Sequence, residues 1–180
     1  MSDTTKQWIA LKMKELIREK PLNKVTVTEI CQASGIKRPT FYYHFKDKYD
    51  LVAWIFFHTA EIEKIIDIPS SVNGLQALRD EFLFFRQAYA DISQNALWTY
   101  IVEYYTNAYS ALAKEILHTD SLDPSLLYSI RFFCYGTVGM AREWITSDDE
   151  TTAADFVQRM FHSMSPGLQA IFFPDGIPEY

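Results

Sequence analysis

Residues 26–48 read TVTEICQASGIKRPTFYYHFKDK, and the fold turns on how this stretch is divided. Thr28 is expected to cap a helix running from Glu29 to Ser34, because a hydroxyl side chain can accept from the free N–H groups of a first turn. Gly35 ends it, since the residue just past a helix commonly takes the left-handed conformation that glycine adopts at no steric cost. Pro39 then sits in the first turn of a second, short helix, Pro39 to Phe45, where the missing N–H is harmless. A helix, a tight turn and a second helix is the layout in which the second helix enters the DNA major groove. Ile30, Cys31, Ala33, Ile36, Phe41 and Phe45 supply the apolar contacts between the two. Arg38, Thr40, Tyr43 and His44 are left outward, flanked by Lys37, Lys46 and Lys48, a polar, aromatic and cationic face suited to phosphates and base edges.

Working outward, Ile9, Met13, Leu16 and Ile17 recur at helical spacing and mark a first helix that stops at Lys20-Pro21. Val25 and Val27 flank a short extended link. On the other side Asp47 caps a fourth helix, whose apolar positions Leu51, Val52, Ile55, Phe56, Thr59, Ile62 and Ile66 carry it to just before Pro69. Ser70 to Gly74 is expected to be a loop and the hinge between head and body. Further amphipathic helices are predicted at about 75–91, 93–118 and 124–146, and a last one from Thr151–Thr152 that breaks at Ser165-Pro166-Gly167. Only six glycines occur, too few for a turn-rich β architecture. The fold class predicted is all-α: a three-helix DNA-binding domain, residues 1–48, joined by helix four to a helical sensing and dimerisation domain, residues 49–180.

The net charge of −6 taken alone speaks against nucleic acid, but its distribution does not. Residues 1–48 hold ten lysines and arginines against five acids, a net +5, and the remainder is −11. Phosphate attraction acts over about a Debye length, ~10 Å, so a basic head on an acidic body suffices for a local DNA contact. Cys31 and Cys134 are too few and too far apart for a structural zinc site, and no cofactor is implied. Uncharged stretches such as 132–141 are too short to span a bilayer, so no membrane partner is expected and the compartment expected is the cytoplasm.

Taken in register, Thr26–Thr28, Ser34-Gly35-Ile36, Thr40-Phe41-Tyr42-Tyr43-His44-Phe45 and Lys46-Asp47-Lys48 resemble the DNA-binding signature of the TetR family of transcription regulators. The resemblance implies that Thr26 and Thr28 bond phosphate, that Lys37, Arg38, Pro39 and Thr40 face base edges or a thymine methyl, that Tyr42 and His44 meet the phosphate backbone, and that Lys48 clamps a phosphate. Tyr43 belongs to the same exposed face. Lys37-Arg38 is more basic than the small polar pair many members carry, which leaves the operator sequence open.

In the body, residues 132–145, FFCYGTVGMAREWI, are similar to a segment of the short-bodied TetR subgroup typified by activators of dihydroxyacetone kinase operons, where it lies near the dimer interface. Gly136 and Gly139 each cost a helix ~1 kcal/mol against alanine, so some close approach should need their small size: a partner helix or an intrachain neighbour. A helix-turn-helix of this kind reads two half-sites one helical turn apart, so a homodimer on double-stranded operator DNA is expected. Gly136, Gly139, Met140, Trp144, Phe156 and Met160 are the interface residues chosen. Phe82, Phe85, Tyr89, Trp98, Tyr104, Tyr105, Tyr109 and Tyr135 form either core or the lining of a pocket for an unknown small-molecule effector, whose place a partner protein could take. His118 and His162 are placed on the surface. No nucleophile elbow, phosphate loop or metalloprotease motif is present, so an enzyme is the weaker reading. A protein-interaction module on the same fold that has lost DNA binding is the other rival, and the basic head argues against it.

Overall fold

A computed structural model describes residues 2–61, 65–90 and 97–180. Ten α-helices and one 3-10 turn make up the regular structure of these residues: α1 Ser2–Glu19, the turn Leu22–Lys24, α2 Val27–Ser34, α3 Arg38–His44, α4 Lys48–Ala60, α5 Ile68–Asp80, α6 Phe82–Tyr89, α7 Leu97–Ile116, α8 Pro124–Thr146, α9 Ala153–His162 and α10 Pro166–Phe172. The all-α expectation holds.

The head is α1 to α3. Ile9, Met13 and Ile17 of α1 are buried together with Ile30, Phe41 and Phe45, which is the apolar face their spacing predicts. Two details differ from expectation. The cap of α2 is Thr26, not Thr28: its hydroxyl accepts from the Glu29 N–H at 3.3 Å while the Glu29 carboxylate accepts from the Thr26 N–H at 2.9 Å. That reciprocal pair is a capping box, which satisfies two otherwise free donors at once. Ala33 is exposed, and Ser34 is buried in its place, its hydroxyl donating to the Ile30 carbonyl at 2.7 Å. Gly35 ends α2 with φ +66°, as expected. The indole of Trp8 donates to the Ser34 carbonyl at 3.0 Å and ties α1 to the end of α2.

Asp47 caps α4 by accepting from Tyr49 and Asp50 N–H at 2.8 and 2.9 Å. The helix is shorter than its apolar pattern suggests, ending at Ala60 where Glu61 takes φ 44°; Ile62 lies outside the described residues. Asp67 then caps α5, and Pro69 stands in that helix's first turn as a starter, not a stopper. The loop expected at Ser70–Gly74 is therefore helical, with Ser71, Val72 and Gly74 buried. A break at Glu81 divides the helix predicted at 75–91 into α5 and α6. The helix placed at 93–118 is seen from Leu97, residues 91–96 lying outside the described set. The bounds of α8 match the prediction.

α4 packs against α1 on one side and against α5 and α7 on the other. Its rings show the same division: Trp54 meets Phe45 of the head at 5.9 Å, whereas Phe56 meets Phe85 at 5.8 Å and Phe57 meets Tyr104 at 4.4 Å. α7 and α8 make the most extensive helix pair, with α5, α6, α9 and α10 around them. One buried cluster runs from Ile9 through α4 to Phe173, so head and body share a continuous core. No helix of the described residues is long and apolar enough to cross a membrane.

Candidate nucleic-acid interface

α3 begins one residue earlier than expected, at Arg38, with Lys37 in the cap position and Pro39 in the first turn. Phe41 and Phe45, four residues apart, bury completely and fix its inner face. The opposite face is open: Lys37, Arg38, Pro39, Thr40 and Tyr42 are exposed, His44 is half-buried, and Tyr43 is 81% exposed. Such exposure of a tyrosine on a seven-residue helix has no packing reward and leaves the ring available to a partner. Arg38 is held ready by Tyr42: a guanidinium N–H donates to the phenol at 3.3 Å, with the ring 5.8 Å away. Tyr43 and His44 meet edge to face at 5.0 Å.

The threonines divide. Thr26 uses its hydroxyl in the capping box, accepting from Glu29 and donating back to the Glu29 carboxylate at 2.8 Å. Thr28, on the first turn of α2, is exposed. Glu29 is also bonded to the Lys20 ammonium, and this bond, followed by those from Thr26, lowers its pKa to about 2. It stays ionised at the start of α2 and holds Lys20 in place.

Lys48 is tied to the head. Its ammonium donates to the carbonyls of Leu22 at 2.8 Å, Asn23 at 3.3 Å and Val25 at 2.9 Å. An ammonium has three donors, and three carbonyls of the link between α1 and α2 take them. The first turn of α4 is thus stapled to the head, a contact across more than twenty residues that local sequence does not signal.

In the body the eight aromatic residues separate into three places. Tyr89, Tyr105 and Tyr109 line one small interior cavity. Trp98 and Tyr135, edge to face at 5.2 Å, border a shallow outer groove between α7 and α8. Phe85 is wholly buried core, Phe82 lies under Arg86 at 5.6 Å, and Tyr104 is exposed against Phe57. They do not form one pocket. Of the residues chosen for an interface, Gly136 and Met140 are exposed, and Gly139, Phe156 and Met160 are half-buried. Trp144 is a correction: it is 2% exposed, stacked on Phe156 at 5.1 Å and beneath Arg79 at 4.2 Å, and belongs to the core. A Cβ at Gly136 or Gly139 would meet nothing within 4 Å, so no neighbour among the described residues explains the glycines. His118 and His162 are exposed, as expected.

A basic head with an inward-locked, outward-polar second helix, carried on a helical body, defines a helix-turn-helix transcriptional regulator rather than an enzyme. The family model for bacterial regulatory proteins of the tetR family matches residues 14–55, and the model for a transcriptional regulator C-terminal region matches residues 71–166. The chain belongs to the TetR family. It is 35% identical over 72 residues to the HTH-type dhaKLM operon transcriptional activator DhaS of Lactococcus lactis subsp. lactis (strain IL1403), a match that spans 40% of this chain and 37% of that protein's length. The solved structure of the dihydroxyacetone kinase operon activator DhaS superposes with a TM-score of 0.56 over 89% of this chain and 96% of that one. At 20% identity this second likeness is one of fold.

Proposed function

We propose that the chain is a homodimeric, sequence-specific regulator that places two copies of α3 in successive major grooves of a pseudo-palindromic operator. The observation that carries this reading is the exposed face of Lys37, Arg38, Thr40 and Tyr43 on a helix whose other face is locked by Phe41 and Phe45. Arg38 suits a guanine edge, Thr40 and Pro39 a thymine methyl, and Tyr42, His44 and Thr28 the phosphate backbone. The functional division falls after residue 48, with a cytoplasmic site of action. Fluorescence anisotropy against the promoter DNA of the neighbouring genes tests it: nanomolar, salt-sensitive binding is expected, and indifference to duplex DNA at low salt overturns it.

The dimer face proposed is α8 with α9. Tyr128, Phe132, Gly136 and Met140 recur every four residues and form one stripe, Phe132 being 73% and Met140 59% exposed. The stripe runs into a groove of about 920 Å³ that Phe156 and Met160 also line. A projecting Phe132 beside an open Gly136 is what a two-fold, self-complementary contact needs. Apolar exposure of this extent is otherwise costly for a single chain.

Control is proposed to reach the head through α4, whose rings touch both sides. A small molecule or partner held by the body acts only in so far as it prefers one separation of the two α3 helices.

A further inference from the structure

Arg38 and Tyr42 stand four residues apart on α3, so their side chains meet on one face of the helix. Three contacts in series fix the guanidinium. Phe41, wholly buried, anchors the helix to the core. The Tyr42 ring meets Phe41 edge to face at 5.5 Å. The Arg38 guanidinium then lies 5.8 Å from the Tyr42 ring and donates one N–H to its hydroxyl at 3.3 Å. No carboxylate pairs with Arg38 among the described residues. The difference matters, because an acid would neutralise the cation, whereas a neutral phenol orients it and leaves the whole charge for a partner. A guanidinium has five N–H donors and a bidentate guanine contact takes two, so the bond to Tyr42 leaves enough of the fork free. The phenol accepts from Arg38 and still has its own O–H to donate, within the same exposed face, to a phosphate. Arginine has among the largest rotamer freedoms to lose, so a guanidinium placed before binding loses less on meeting a base.

We propose that Tyr42 is a positioning residue for base recognition: its phenol aims Arg38 at a guanine while its O–H ties the pair to the adjoining phosphate, so that sequence reading and backbone register are set together. This rests on the operator reading given above and assigns its specificity to a pair of side chains. In the test, the full-length wild-type protein first recovers its operator from a random duplex pool. Affinities of wild type, Tyr42→Phe, Arg38→Ala and the double variant are then measured by anisotropy on that operator with each base at each position. Phenylalanine keeps the ring on Phe41 and removes one surface oxygen, so the melting temperature is expected to stay within about 2 °C. Arg38→Ala is expected to abolish a guanine preference at one base pair per half-site, and Tyr42→Phe to reduce that same preference about three- to tenfold. Preferences elsewhere are expected to hold, and in the Arg38→Ala background the loss of the hydroxyl is expected to leave base ratios unaltered. In the free protein, relaxation of the Arg38 Nε–H by NMR is expected to report greater motion in Tyr42→Phe. A loss spread evenly over all bases and positions, an intact guanine preference, or unaltered Arg38 motion overturns the positioning role. A base other than guanine at the position that Arg38 reads overturns the guanine assignment. Wild-type protein that recovers no operator overturns the operator reading itself, a failure seen before any substitution is made.

Discussion

Lys48 and Arg38 are both cations of the head, yet the structure gives them different work. Lys48 spends its donors on three carbonyls, whereas Arg38 leans on Tyr42 and stays at the surface. Lys48→Met should therefore act as a stability mutation: losing charge-assisted bonds of about 2 kcal/mol lowers the melting temperature by about 4–8 °C. Arg38→Ala should leave the melting temperature within about 2 °C, since surface changes rarely exceed ~0.5 kcal/mol, and alter which operator is selected from a random pool. Thermal melts beside sequence selection separate the two. Glu29 sets a pH limit. Its pKa falls from 4.5 to about 2 on folding, so its contribution is complete above the unfolded value and is lost as pH falls through the folded one. Glu29→Gln should lower stability at pH 7 and flatten the acid side of the stability curve between about pH 4.5 and 2, where the two proteins converge, measured by circular dichroism. The capping box behind this was legible, since Thr26-x-x-Glu29 has the required spacing. Thr28 offers a second hydroxyl two residues later, and that competitor obscured it. Lys48 had no such signal, because its acceptors are backbone atoms of a distant turn.

Among the elements, α8 was read to the residue because Asp123-Pro124 marks its start and its apolar pattern has no interruption. The join of α4 to α5 was not. Apolar residues continue through it, and the break is made by Glu61 in a left-handed conformation that glutamate rarely adopts. Pro69 reads equally as an end or a beginning until Asp67 is recognised as a cap. On α7 the tyrosines fall on two faces: Tyr105 and Tyr109 turn to the cavity, while Tyr104 meets Phe57 of α4. Their spacing was visible in sequence, but which stripe meets which neighbour is fixed only by packing. The glycines of α8 give a test of the proposed dimer. Gly136→Ala should stabilise the isolated chain by up to about 1 kcal/mol, since helix propensity improves and the added methyl meets nothing. If a partner helix approaches there, the same substitution weakens self-association in analytical ultracentrifugation; unaltered association would place the dimer face elsewhere.

Over the whole molecule, the +5 head and the acidic remainder divide attraction from repulsion along one chain. Because a two-fold regulator presents every contact twice, a single substitution removes two phosphate contacts. With the exposed Lys46 beside α3 as a phosphate contact, Lys46→Gln should flatten the plot of log affinity against log salt by about 1.8, where a monomer on one half-site would lose about 0.9. Anisotropy titrations at several salt concentrations distinguish the two slopes. The stapling of Lys48 to the link between α1 and α2 also fixes where any bending must occur. Head and first turn of α4 form one rigid piece, so the fulcrum lies toward Ala60, thirteen residues along the helix. That arm is about 19 Å long, and a swing of about 10° carries its far end some ~3.4 Å, the rise of a single base pair. In the proposed two-fold complex, a rotation of that size would put each reading head out of step with its groove.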